Sequence, residues 1–205
     1  MITLLQTWQV NLLGYLVCVV LFFNVYKLAV CRAHSDGAAT VLLQSIAGIS
    51  MLVLVPIFPL HVPTDLKLYL LLVATGLCYA LSNRLQTTAR KHLQVSVVAV
   101  INQLSTVFLL VYGVTIFRHP LLLEKVIGAG CILGGNLLLL YRGGTFALNK
   151  YEGMAMVATL ALATAMSIDI GIAPHFNLPG YILLTFLLHA SIVAVAEQIT
   201  PRDVF

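Results

Sequence analysis

Charged side chains are so sparse along this chain that the stretches between them read as membrane helices. Residues 10–26 form the first apolar run, with Trp8 and Tyr26 at its ends, where amphipathic rings favour a membrane interface. A polar loop containing Arg32, His34, Ser35, Asp36 and Gly37 leads into residues 38–58, a charge-free run that ends in a Pro56, Pro59, Pro63 series unable to continue a helix. Residues 66–83 make a third, shorter run, with Lys67 and Arg84 placed to snorkel to the interface. Past a basic stretch at 84–92 come residues 95–117 and 121–141, separated by the tight turn Arg118-His119-Pro120, which predicts antiparallel neighbours. Residues 152–172 and 178–196 follow, divided by Pro174, Asn177 and Pro179. A helix needs about 20 apolar residues to cross roughly 30 Å of hydrocarbon, so the pattern predicts an all-α integral membrane protein of about seven spans. The runs are too long and too continuous for the ~10-residue alternating strands of a membrane barrel.

Composition agrees with this pattern. Of 205 residues, 60% are hydrophobic and 9% charged, and the mean hydropathy is +1.02, whereas soluble domains are about 25% charged. The net charge of +4 does not point to nucleic acid, because the eleven Lys and Arg are dispersed between apolar runs rather than gathered in a tract. Cys18, Cys31, Cys78 and Cys131 lack the paired spacing of a zinc or redox site and read as packing or lipid-facing residues, so no metal or cofactor is expected. The N-terminus has neither a basic leader nor a cleavage motif, so a removed signal peptide is not expected.

Polar groups inside spans point to function, since they are costly there and turn toward a bundle interior or wet cavity. Tyr15, Gln44, Asn102, Gln103 and Asn136 are the candidate substrate-binding residues, with Asn11, Ser45, Ser105 and Thr106 beside them. Each also has a plainer reading as an interhelical hydrogen-bonding group. Asp169 is the candidate for proton coupling, although its place near a helix end equally suits a solvated cap. His189, alone on an apolar stretch, reads as a structural hydrogen-bonding group. Gly128, Gly130, Gly134 and Gly135 are candidates for close helix packing, against a neighbouring span or a second protomer.

Residues 93–140 resemble the fourth and fifth helices of EamA-type members of the drug/metabolite transporter superfamily, through Ile127-Gly128 and Ile132-Leu133-Gly134. Residues 167–190 look like that family's sixth-to-seventh helix junction, through Ile168-Asp169 and Leu184-Thr185-Phe186. Thr106 stands where the family commonly has a proline, and Arg118-His119 where it has Gly-Glu. The resemblance implies two inverted five-helix copies that move small organic metabolites or drugs by alternating access. On that reading residues 1–141 are the first five-helix repeat and 150–205 the start of an inverted second, so the chain is expected to stop after its seventh helix. A weak internal match joins the first-to-second and sixth-to-seventh junctions at an offset of roughly 142 residues, and an odd repeat unit is the arrangement that inverts its copy.

Orientation is contested. Lys27, Arg32, Arg84, Arg90, Lys91, Arg142, Lys150 and Arg202 fall on one side, against Lys67, Arg118 and Lys125 on the other. The positive-inside rule thus favours an outside N-terminus, whereas the family implies a cytoplasmic one. The expected function is a multi-pass transporter of small organic metabolites or drugs in the cell membrane, with the lipid bilayer and a small-molecule solute as partners. The alternative is a non-transporting subunit or incomplete chain acting only through helix packing, which leaves a homodimer or missing C-terminal helices open. No enzyme is expected: residues 178–196 hold no Lys for a Schiff base, and Asp169, His175 and His189 lack the helical spacing of the common zinc motifs.

Overall fold

The computed structural model describes residues 2–32, 35–54, 63–142, 145–146 and 148–200, with side chains described for 9–32, 35–53, 63–138, 141 and 148–200. The helices are α1 (Ile2–Arg32), α2 (Asp36–Ser50), α3 (Leu66–His92), α4 (Val95–Asn102), α5 (Leu104–Thr115), α6 (Leu123–Leu140), α7 (Lys150–Ile172) and α8 (Leu178–Ala196). Single 3₁₀ turns extend α2 (Met51–Leu54) and α7 (Ala173–His175), and a two-residue antiparallel ladder pairs Tyr141 with Phe146 after α6. Helices α4 and α5 share one span, so the predicted seven are present in the predicted order. Six spans among the described residues are long and apolar enough to cross a membrane. The other, α6, has 18 residues and reaches about 27 Å at 1.5 Å per residue, close to the hydrocarbon thickness.

Local chemistry sets the helix ends. The Asp65 carboxylate accepts the Lys67 N–H at 2.9 Å and starts α3. Asn149 and Glu152 form a reciprocal capping box that starts α7, and Ser35 caps α2. Two boundaries differ from the sequence reading. Helix α3 continues to His92 instead of ending near Asn83, because its last turns are not lipid-facing: Ser82, Gln86, Thr87 and Ala89 are buried. Residues 95–117 are interrupted at Gln103, whose N–H bonds to Val100 O and whose carbonyl accepts from Thr106 N, both i to i+3 spacings that tighten the helix. Pro56, Pro59, His34 and Arg202, used above to read a helix end, a loop and the charge asymmetry, lie outside the described residues.

The bundle is held mainly by α3 against α7 and α2 against α8, with α3 also touching α8 and α5 touching α7. Close approach is bought with small residues. Ala155, Ala158, Ala163 and Ala165 of α7 are fully buried, and a Cβ on Gly76 of α3 would stand 2.7 Å from Leu188 Cδ2 of α8. Helix α1 lies at the edge, with most described side chains exposed, including Leu13, Val17 and Leu21, as a helix face in contact with lipid tails would be. It is pinned by Tyr26, whose hydroxyl lies 2.7 Å from Thr87 Oγ1, itself 2.8 Å from Thr40 Oγ1. The guanidinium of Arg90 completes this contact, 4.7 Å from the Phe23 ring centroid and 4.6 Å from that of Tyr26.

Candidate functional site

Helices α2, α3, α7 and α8 line a partly open cavity of about 350 Å³, with Phe22 of α1 at its edge. Its polar wall comes from Gln44, Tyr79, Asn83, Asp169, Tyr181, Thr185 and His189, and Phe22, Phe186, Leu162 and Ile182 supply the apolar part. A larger groove of about 570 Å³, also partly open, lies between α5, α6 and α7, and its polar residues are fewer: Thr106, His119, Lys125 and Ser167. Small-molecule sites pair apolar walls with a few convergent polar groups, which favours the first cavity.

Asp169 is the chemical centre of that cavity. It sits in the last turn of α7, yet its side chain caps nothing there: the Tyr79 hydroxyl donates to Oδ2 at 2.6 Å, and the Tyr181 hydroxyl donates to Oδ1. Phenols on both oxygens suit a carboxylate, which has acceptor sites on each. The fold supplies the second phenol by turning sharply after α7, so that Tyr181, four residues into α8, comes back beside Asp169. Across the cavity, His189 Nε2 lies 2.9 Å from Gln44 Oε1. A carbonyl oxygen accepts, so Nε2 carries the proton and His189 Nδ1 is left without a partner. The structural role expected of His189 is therefore visible, and its partner is Gln44.

The sequence candidates do not converge on one place. Gln44 and Asp169 share the cavity. Asn102 instead joins three helices, accepting from Gln86 Nε2 at 2.6 Å and from Thr159 Oγ1 at 3.4 Å. Asn136 donates to Val100 O and Ile132 O, tying α6 to α4. Gln103 and Tyr15 are exposed on the outside of the bundle. A Cβ on Gly128, Gly130, Gly134 or Gly135 would meet nothing within 4 Å among the described residues. Of the polar groups expected near spans two, four and five, Gln44 alone lines this cavity among the described residues, and its other polar residues come from spans three, six and seven.

Tyr79 and Tyr181 were not among the sequence candidates. Their signal was present: a tyrosine inside an apolar span needs a hydrogen-bond partner for its hydroxyl when buried. Among the described residues no cluster of His, Cys, Asp and Glu could hold a metal ion.

At one end of the bundle a second polar cluster ties three helices. Asp36 accepts from Lys91 Nζ at 2.9 Å and from Thr88 Oγ1 at 3.0 Å, and Arg84 lies 3.8 Å from Asp36 while pairing with Glu197 just beyond α8. Glu197 also crowds Gly37, where a Cβ would overlap its carboxylate. These groups lie outside the cavity and act on helix ends.

No curated protein and no solved structure matches the chain. The model of the EamA-like transporter family matches residues 6–141, from α1 through α6. With its apolar helices and that match over most of its length, the chain belongs to the EamA-like transporter family, multi-pass membrane proteins that are transporters of small molecules rather than enzymes.

Proposed function

We propose that this chain moves a small organic metabolite or drug across a cytoplasmic-type cell membrane by alternating access, with the Asp169 cavity as the seat of the solute. The observation that carries the reading is the convergence of Gln44, Tyr79, Asp169, Tyr181 and His189, from four helices, on one cavity of about 350 Å³ inside a bundle of apolar spans. An ionisable residue in a span is expensive and marks a solute or ion path. Rocking of α2 and α3 against α7 and α8 would expose the cavity to either face in turn, because its wall is shared between these two pairs. Asp169, the one carboxylate of the wall, is the group through which a proton would couple to that movement.

The test is solute flux in vesicles reconstituted with the purified chain. Uptake or release of small organic solutes should exceed that of protein-free vesicles and fall strongly in Asp169→Asn. A chain that is folded in the vesicles but moves none of a broad solute panel would sink the transport reading.

A further inference from the structure

We infer that the Asp169 cavity takes a small protonated amine, its ammonium group seated on the carboxylate and its apolar part against the aromatic wall. This rests on reading the cavity as a solute site, and it adds the chemical class of the solute.

The donors that the wall supplies are largely engaged within the protein. Both tyrosine hydroxyls are given to Asp169, the His189 Nε2 proton is given to Gln44, and the Thr185 hydroxyl donates to Tyr181 O at 2.8 Å. What stays unspent is mostly acceptor capacity: further lone pairs on the Asp169 carboxylate, and those of the Tyr79, Tyr181 and Thr185 oxygens. Among the described residues of this wall, the amides of Gln44 and Asn83 are the groups that keep N–H donors. A ligand that brings several donors of its own fits such a surface, and one that brings acceptors finds few partners.

Charge points the same way. Among the described residues no Lys or Arg lines the cavity, and the basic side chains further along α3 are engaged elsewhere, Arg84 and Lys91 with Asp36 and Glu197 and Arg90 over the rings of Phe23 and Tyr26. A carboxylate without a cationic partner, surrounded by apolar helices, gains most from a ligand of opposite charge. The rings of Phe22, Tyr79, Tyr181 and Phe186 add faces that attract a cation and cover the rest of an amine.

The experiment uses three probes with one skeleton, 2-phenylethylamine, 2-phenylethanol and phenylacetate, binding to the purified full chain in detergent at neutral pH. A hydrogen bond to a charged group is stronger than one between neutral groups, so the amine should bind at least about tenfold more tightly than the alcohol. Phenylacetate should bind most weakly. Asp169→Asn should remove the preference for the amine, and Asp169→Glu should keep it. Equal binding of the alcohol or of phenylacetate, which needs no variant to fold, overturns the assignment, and so does an unchanged preference in folded Asp169→Asn. Flux of the same probes separates the two readings. Movement of phenylacetate or the alcohol without binding of the amine refutes the amine class and leaves transport standing. Carboxylate-dependent binding of the amine upholds the cation site even where no probe crosses the membrane.

Discussion

Gln44 and His189, 145 positions apart in sequence, meet at 2.9 Å across the interior of the bundle, and this contact joins α2 to α8. His189 is 2% exposed, so lipid does not replace its lost partner. Interhelical hydrogen bonds in membranes average about 0.6 kcal/mol and reach about 1.7, and this one belongs near the upper end because the His189 side chain is almost fully buried. Gln44→Leu and His189→Leu should each lower stability by about 1–2 kcal/mol, and the double variant should be less destabilised than the sum of the singles. Unfolding in mixed micelles measures all three, and strict additivity would show that the pair is not coupled.

Asn102 and Gln103 are adjacent in sequence and opposite in consequence. Asn102 accepts from Gln86 and Thr159, and Gln86 Oε1 already lacks a partner, so Asn102→Leu strands further buried polar atoms. It should cost about 1–3 kcal/mol. Gln103 is exposed on the outer side of the bundle, and Gln103→Leu should leave stability, probe binding and flux within a factor of about two, since surface changes are usually within 0.5 kcal/mol. Parallel unfolding and flux measurements on the two variants check the contrast. Loss of flux in Gln103→Leu at full stability would return that residue to the solute path.

This contrast shows which parts of the molecule were legible in sequence. Span order follows from apolar runs, and the last span, Leu178–Ala196, is bounded by Asn177 and Glu197 as written. A run does not say which way its side chains point, however. Rotation about the helix axis decides whether a polar group reaches the cavity, another helix or the exterior, and that is set by packing partners far away in sequence. Tyr15 and Gln44 looked alike as polar residues in spans, yet α1 is peripheral and Tyr15 is 64% exposed, while Gln44 meets His189. In sequence Asp169 reads either as a proton-coupling group or as a solvated cap, because nothing near it announces Tyr79, ninety positions earlier.

The cluster on Asp36 should respond to salt, unlike the interior pairs. Arg84 and Glu197 are each 31% exposed, whereas Asp36 is 16% exposed and receives Lys91, Thr88 and Arg84. Exposed pairs contribute about 0–1 kcal/mol and are screened, with a Debye length near 3 Å at 1 M salt. Glu197→Gln should therefore cost less than about 1 kcal/mol, and its effect should vanish in 1 M salt. Asp36→Asn should cost about 1–3 kcal/mol, because a charged acceptor with three partners is lost, and part of the loss should persist at high salt. Thermal unfolding in detergent at low and high salt tests both. An Asp36→Asn effect wholly abolished by salt would mean that the cluster is only a surface ion pair.

Glycines in this chain divide into those that touch and those that do not, and substitution separates them. A Cβ on Gly76 would lie 2.7 Å from Leu188 Cδ2 and 3.0 Å from Cγ. Leu188 can turn its tip aside for an alanine, but Gly76→Leu must push α3 from α8, and overpacking of this kind costs about 1–3 kcal/mol. On α6 a Cβ at Gly130 or Gly134 meets nothing within 4 Å, and replacing glycine in a helix interior with alanine contributes up to about 1 kcal/mol. Gly130→Ala and Gly134→Ala should therefore leave the isolated chain as stable or slightly more stable, while Gly76→Leu destabilises it. The readout is thermal unfolding across a dilution series in detergent. If alanine at Gly134 instead lowers stability, and does so more at high protein concentration than at low, that face of α6 is packed against a second copy in solution.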